Sequence, residues 1–400
     1  MKLLYISNLF SGLESSIINN EWKPSGVPTV YKFLEKLPTK FNKSEVIFFT
    51  SNKKLLGRRC QYNSEINLNF NFIYHYNGRN FFKQIINYLN KLIQIFKIIK
   101  NLKPKGLYFD RSNLIIAIFF KLFSGKIIIW RLMGVTIPMH EFHYRTSIKS
   151  IIINLLLKIK LDLVICTQDG SGGKEWMNKY LNIKTPRIIL INGFNNSLKK
   201  NKLFYRKIFE SDKQHLKLLF ISRLVKGKGC EILCDSLIKL SNSNIKIEMI
   251  IIGDGPQKKI MESKLENSKF IEDIKFLGSL PHNEVINSYN QCDLYISLNE
   301  MGSLINTNLE AIKENCCMIN LDSYNKFNID IFTKKIIPNA CVVRLDRNNT
   351  SEHLMNEINN FYNNREKIKL IQNNMKKLDK KFIPSWDKRI NEEFSIIEKL

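Results

Sequence analysis

Short, almost wholly apolar runs recur along this chain, and they constrain its fold more than any other feature. KLLYIS (from Lys2), VIFFT (Val46), GLYF (Gly106), KIIIW (Lys126), LVICT (Leu163) and RIILIN (Arg187) each have the length of a strand, and helix-period segments separate them. A strand apolar on both faces must be covered on both faces, so strands of this kind alternating with helices specify a parallel sheet. A second series starts at KLLFIS (Lys217) and runs through IEMIII (Ile247), KFLG (Lys275), LYISL (Leu294), CMIN (Cys317) and CVVRL (Cys341). Between the two series, residues 195–215 read NNSLKKNKLFYRKIFESDKQH, a polar and charged stretch with neither period. The expectation is an α/β chain of two doubly wound domains joined at that stretch. Ligands would then sit at the carboxyl ends of the strands and in the cleft between the domains. Four hundred residues suit two such cores.

Lys and Arg total 62 against 36 for Asp and Glu, a formal net charge of +26. Such an excess points to an acidic partner: a nucleotide, an anionic lipid or a nucleic acid. Much of it lies in lysines scattered among Asn and Ile, and no aromatic-and-basic recognition motif stands out, so nucleic acid is not expected. The segment 81–101, FFKQIINYLNKLIQIFKIIKN, places Lys83, Asn87, Asn90, Lys91, Gln94, Lys97 and Asn101 at helical spacing as one polar stripe. That stripe reads either as the solvated outer face of a helix or, with the lysines of 151–160, as an electrostatic docking face for an anionic inner leaflet. No run reaches the length of a membrane span, because LIIAIFF is cut off by Lys121, and the first residues read as a strand rather than a leader. The eight cysteines are scattered without zinc-type spacing and read as reduced core residues of a cytoplasmic protein.

Three stretches carry the chemistry. RLVKGKG, Arg223 to Gly229, joins a strand to a helix and offers two cations, flexible glycines and a helix N-terminus, the requirements of a diphosphate site. A basic turn without a ligand explains the same residues. In IIIGDGPQ, Gly253 and Gly255 permit a tight strand-to-helix turn and Pro256 suits a first helical position. In NEMGSLINTNLEA, Asn299 to Ala311, Glu310 is either a ligand-binding acid or the closing residue of a capping box that starts at Thr307. On the first half, Arg131 at the end of KIIIW and Asp169 in TQDGSGG are candidates to face an acceptor, as are His140 and His143 more weakly. Turn formation by Asp-Gly explains Asp169 equally well.

The order SRLVKGKG, IIIGDGPQ, IKFLGSLPHNEVINSYNQCDLYISL and NTNLEAI resembles the carboxyl-terminal domain of family 4 (group 1) retaining glycosyltransferases of the GT-B fold. FIPSW at 382–386 resembles that family's terminal segment, and the first half is similar more weakly, through the loop at Gly26, DRSN, WRLMGV and TQDGSGG. The resemblance implies Rossmann-like domains at 1–200 and 201–380 facing a central cleft, with the segment 381–400 crossing back to the first. It implies transfer of a sugar, without a metal or other cofactor, from a nucleotide diphosphate sugar to a glycan or lipid-linked acceptor in polysaccharide or lipopolysaccharide synthesis. Arg223 and Lys228 would contact the diphosphate and Glu310 the ribose, with Gly26, Gly253 and Gly255 bordering the donor. The family's E-x7-E pair would place its first acid at position 302, where this chain has Gly302. Ser303 and Asn306 are then the expected replacements for contacts to the donor sugar. The departure also leaves open a nucleotide-sugar-binding protein without turnover, and a sugar-nucleotide epimerase is a further alternative.

Overall fold

The computed structural model describes residues 2–57, 60–62, 66–142, 147–195, 207–211, 214–266 and 268–400. The first sheet contains β1 (Leu3–Asn8), β2 (Glu45–Thr50), β3 (Cys60–Tyr62), β4 (Ile66–Tyr74), β5 (Gly106–Asp110), β6 (Ile127–Leu132), β7 (Leu163–Thr167) and β8 (Arg187–Leu190). Its order is β3-β4-β2-β1-β5-β6-β7-β8, and every pairing is parallel except β3 with β4. The second contains β9 (Leu216–Ile221), β10 (Ile247–Ile252), β11 (Ile274–Gly278), β12 (Leu294–Ser297), β13 (Met318–Leu321) and β14 (Val343–Leu345), ordered β11-β10-β9-β12-β13-β14 and wholly parallel. Every apolar run of the two series forms a strand, and LIIAIFF lies in the helix Leu114–Phe123. The β3–β4 pair was not anticipated: β4 alternates Asn with Leu and Phe, INLNFNFIY, and buries Leu68, Phe70 and Phe72 against one face and Ile73 against the other.

Each sheet is covered on both sides, which is what the apolar strands require. In the first domain, one face packs against the helix Pro28–Lys40 and the terminal helix Trp386–Glu398, and the other against the helices Phe81–Leu102, Leu114–Phe123 and Ile148–Leu157. The terminal helix belongs to the first domain's core although it is last in the chain. Trp386, Ile390, Phe394 and Ile397 are buried there, and Phe194 pairs with Ser385 where the chain crosses. Of the interdomain stretch, Ile208 and Phe209 lie in the second domain's core, and the Glu248 carboxylate accepts from the backbone N–H groups of Glu210 and Ser211.

Two expectations are corrected by packing. Arg131 does not face the cleft; it is 1% exposed, donates to Glu393 Oε2 at 2.7 Å and to Thr167 Oγ1 at 3.0 Å, and so ties β6 to the terminal helix. Glu393 also accepts from Arg389 at 2.6 Å and from the Tyr108 hydroxyl at 2.5 Å, and this pair of guanidinium groups holds its carboxyl down at about 2 against the opposing effect of burial. The second correction concerns the polar stripe. Lys91 turns inward, with Nζ 4.2 Å from the Phe49 ring centroid and 2.6 Å from His75 Nδ1, and burial lowers it to about 8. The rest of the stripe stays outward, with Lys83, Asn90, Gln94, Lys97 and Asn101 exposed, and beside it the helix also exposes Phe81, Phe82, Ile85, Ile86 and Leu89.

Candidate functional site

The carboxyl edge of the second sheet gathers the basic loop. Residues 222–229 leave β9 and enter the helix Cys230–Leu240 through Gly229, whose φ of +76° a side chain would strain and whose Cβ would strike Leu298. Arg223 is exposed at the tip of this loop. Lys228 is half-buried behind it and donates to Asn299 Oδ1 at 2.8 Å. Burial and the neighbouring Arg223 lower Lys228 to about 8, and Asp169 of the first domain opposes them. Two cations and a helix N-terminus here form a concentrated positive field suited to a diphosphate. Gly253 and Gly255 serve this loop indirectly. A Cβ on either would lie 1.8 Å from the Ser222 carbonyl oxygen or 2.4 Å from that of Leu224, so the absence of side chains lets the two loops stack and presents Arg223. Leu224 N–H donates to the Asp254 carbonyl and Gln257 N–H to that of Leu224, both at 2.9 Å.

At Gly302 the two domains touch. A Cβ there would come within 2.5 Å of the Asp169 carbonyl oxygen and 2.6 Å of Gly170 C, and φ is +124°. The place a first acid would need is filled by the first domain's own backbone. Leu304 N–H donates to the Asp169 carbonyl at 3.0 Å, and Asp330 N–H to that of Gly170 at 2.7 Å. Ser303 is engaged in the same latch, giving its N–H at 2.7 Å and its hydroxyl at 2.9 Å to the buried Asp330 carboxylate. Asn306 Oδ1 accepts from Asn192 at 2.8 Å, whose Oδ1 in turn accepts from Thr29 Oγ1. Of the two residues expected to replace the missing acid, Asn306 therefore joins the domains directly, and Ser303 holds Asp330, whose N–H does. Asp169 makes the expected turn, accepting from Ser171 N–H at 3.0 Å; burial pushes its carboxyl up to about 7, and its charge is felt by Lys228 across the cleft.

Glu310 is not a capping residue. The helix runs Asn306–Lys313 with Ile305 as its N-cap, which puts Thr307 at the second helical position and Glu310 at the fifth, beyond the reach a capping box requires. Its Oε1 lies 2.8 Å from Nε2 of His282, the first residue of the helix His282–Tyr289 that follows β11, and the Tyr289 hydroxyl is 3.4 Å from Oε2. The hydrogen bond to Glu310 raises the His282 imidazole above its usual range. From the first domain Tyr31 faces this acid; burial, then Glu35 and Glu310, raise its hydroxyl to about 12. The carboxylate thus stands at the domain junction with acceptor capacity for a diol. Gly26, at φ +96° with only the Phe10 ring within 4 Å of its would-be Cβ, turns the chain into the helix that carries Tyr31.

Three groups escaped the sequence reading. Arg347, just past β14, donates to the carbonyl oxygens of Asp322 at 2.6 Å and Glu300 at 3.3 Å, and its Nη2 is buried with no hydrogen-bond partner among the described residues. Asp330 anchors the latch from a left-handed conformation, φ +56°. Asp110, at the end of β5, is fully buried; Oδ2 accepts from Ser7 and Arg111, and Oδ1 has no partner among the described residues. Position at the carboxyl end of a strand was the available signal for Arg347 and Asp110; nothing local marks Asp330. His140 is buried, stacked 4.9 Å from the Phe327 ring and bonded to the Ser171 carbonyl, so it too belongs to the domain junction. His143 lies outside the described residues.

Residues 201–378 match the family described as "Glycosyl transferases group 1". The Phosphatidylinositol N-acetylglucosaminyltransferase GPI3 subunit of Saccharomyces cerevisiae (strain YJM789) is 26% identical over 165 residues, which is 39% of this chain and 35% of that protein. The match thus spans about a third of that curated relative. Sucrose-phosphate synthase from Thermosynechococcus elongatus superimposes with a TM-score of 0.72 at 10% identity, covering 100% of this chain and 99% of that one. HepE from Anabaena, solved in complex with UDP-glucose, gives a TM-score of 0.68 at 16% identity, with 100% of both chains covered. The chain has the GT-B fold over its length, and residues 201–378 are similar to the group 1 glycosyltransferases.

Proposed function

We propose that this protein transfers a sugar, with retention at the anomeric carbon, from a nucleotide diphosphate sugar to a glycan or lipid-linked acceptor, in the synthesis of a cell-surface polysaccharide or lipopolysaccharide. The observation that carries the reading is the convergence at one sheet edge of a basic diphosphate loop, Arg223 and Lys228, and an acid freed from any capping role, Glu310. As the bond to the leaving diphosphate breaks, negative charge grows on it, and Arg223, Lys228 and the start of the helix Cys230–Leu240 neutralise that charge in place. Glu310 holds the ribose hydroxyls. With the acceptor attacking on the leaving-group side, the departing phosphate takes its proton, so no protein base is required. Asp169, at the junction and facing Lys228, orients the acceptor hydroxyl. The UDP-glucose complex of the structurally similar HepE supports a nucleoside diphosphate donor, and the name of the yeast relative supports a lipid-linked acceptor. We place the protein in the cytoplasm, peripheral on the inner membrane; among the described residues no helix is long and apolar enough to cross a membrane.

A thermal-shift panel of nucleoside diphosphates and their sugars tests the donor site, because a ligand of the native state raises its apparent stability. One nucleotide sugar should stabilise the wild type, and Glu310→Ala should lose that shift with little change in its unliganded melting point. If no nucleotide shifts the wild type, the reading is wrong. Gly302 favours a second reading, donor binding without turnover, which binding in the absence of both transfer and donor hydrolysis would identify.

A further inference from the structure

We propose that the outer face of the helices Phe81–Leu102, Leu114–Phe123 and Ile148–Leu157 docks the protein on an anionic lipid bilayer by inserting apolar side chains among the acyl chains, rather than by lysine contacts alone. The three helices bury their inner sides in one cluster, through Ile95, Ile116 and Leu157, so their outer sides form one layer. That layer should be polar. Instead Phe81 is 67% exposed, Phe82 75%, Leu89 53%, Phe123 66%, Ile148 77% and Leu155 66%. Single exposed apolar residues are ordinary, but this many on one face mark an interaction surface.

Charge decides the occupant. None of the three helices contains an acid. Lys83, Lys97 and Lys100 are exposed on the first of them, and Lys158 and Lys160 at the edge of the third. A second copy meeting this face through the same face would set like charge on like charge. Anionic headgroups complement it, and a helix with aromatic and aliphatic residues beside lysines suits the boundary between headgroup and acyl chain. The helix Phe81–Leu102 follows the carboxyl end of β4, so Phe81 and Phe82 lie toward the cleft rim. A lipid-linked acceptor would enter the cleft from that side. This last consequence rests on the transferase reading, whereas docking itself does not.

Flotation with vesicles of phosphatidylcholine, alone or mixed equally with phosphatidylglycerol, tests the proposal without any sugar donor, so its failure is separable from failure of the transferase reading. The wild type should float with the mixed vesicles, and a measurable part of the binding should survive about 1 M salt, where Coulomb attraction is screened within ~3 Å. Phe81→Ser/Phe82→Ser/Phe123→Ser should lower partitioning at least about tenfold. Its melting point should match the wild type because these rings are exposed, and Phe123→Ser alone provides a milder variant should the triple one fold poorly. Lys83→Gln/Lys97→Gln/Lys100→Gln should remove the salt-sensitive part only. The proposal is overturned if wild-type protein does not float, if the Phe variants bind as the wild type does, or if light scattering shows a dimer that those variants dissolve while vesicles leave it unbound.

Discussion

Replacing Gly302 tests whether the missing first acid is a defect or a fitted contact. In Gly302→Ala the new Cβ would stand 2.5 Å from the Asp169 carbonyl oxygen, 2.6 Å from Gly170 C and 2.8 Å from Ser171 N, all backbone atoms that cannot rotate away. The loops must part, which breaks the bonds from Leu304 N–H to Asp169 and from Asp330 N–H to Gly170. Two such bonds contribute about 0.5–1.5 kcal/mol each. Holding alanine at φ +124° costs about 1–3 kcal/mol more. The closed arrangement should thus lose about 2–6 kcal/mol. At about 2–4 °C per kcal/mol for domains of this size, the melting point should fall by at least about 4 °C. Small-angle scattering should show a larger radius of gyration. Gly302→Glu should do the same and bring no gain in sugar transfer. A Gly302→Ala protein with wild-type melting and compactness would refute the contact, and a rise in turnover in Gly302→Glu would show that the acid's absence is a loss of function.

Lys228 must be protonated to hold a diphosphate, and it is lowered to about 8, so donor affinity should fall as pH rises through about 8. Lys228→Arg should shift that fall upward, which titration calorimetry across pH would detect. His282 has the opposite effect: raised by its hydrogen bond to Glu310, it stays protonated and paired with that acid at low pH, so donor KM should drop as pH rises through the imidazole's range, and His282→Ala should flatten this limb. The same pairing adds stability below about 6.5 that is lost at higher pH. Glu393→Gln strands Arg131 and Arg389, and removing one partner of such a buried cluster costs about 3–5 kcal/mol, readable in urea unfolding. Because the Glu393 carboxyl is depressed to about 2, its contribution is present above the usual glutamate range and lost as pH falls toward about 2; the variant should lack that acid limb.

Pattern alone specified the two parallel sheets, since LVICT or IEMIII is apolar on both faces and has one stable place, between two helix layers. The order of RLVKGKG, GDGP and NTNLEA along the chain pointed to the sheet edge proposed here as the donor site. Where the sequence misled, partners distant in the chain decided the outcome. Arg131 had a charge at a strand end and no visible counterion, because Glu393 lies 262 residues away on a helix that only the fold brings back. Thr307 and Glu310 have capping-box spacing, and only the helix's actual start one residue before Thr307 excludes it. Lys91 sits on a polar stripe by periodicity, yet His75 and the Phe49 ring draw it inward. The chain's own residues thus determined which segments become strands and helices and which end of each carries the chemistry, because periodicity and loop composition are local. Only the tertiary structure decided that Gly302 is a contact between domains, that Asn306 and Asp330 fasten the junction, and that an apolar face is exposed among the described residues, because each depends on surfaces far apart in sequence.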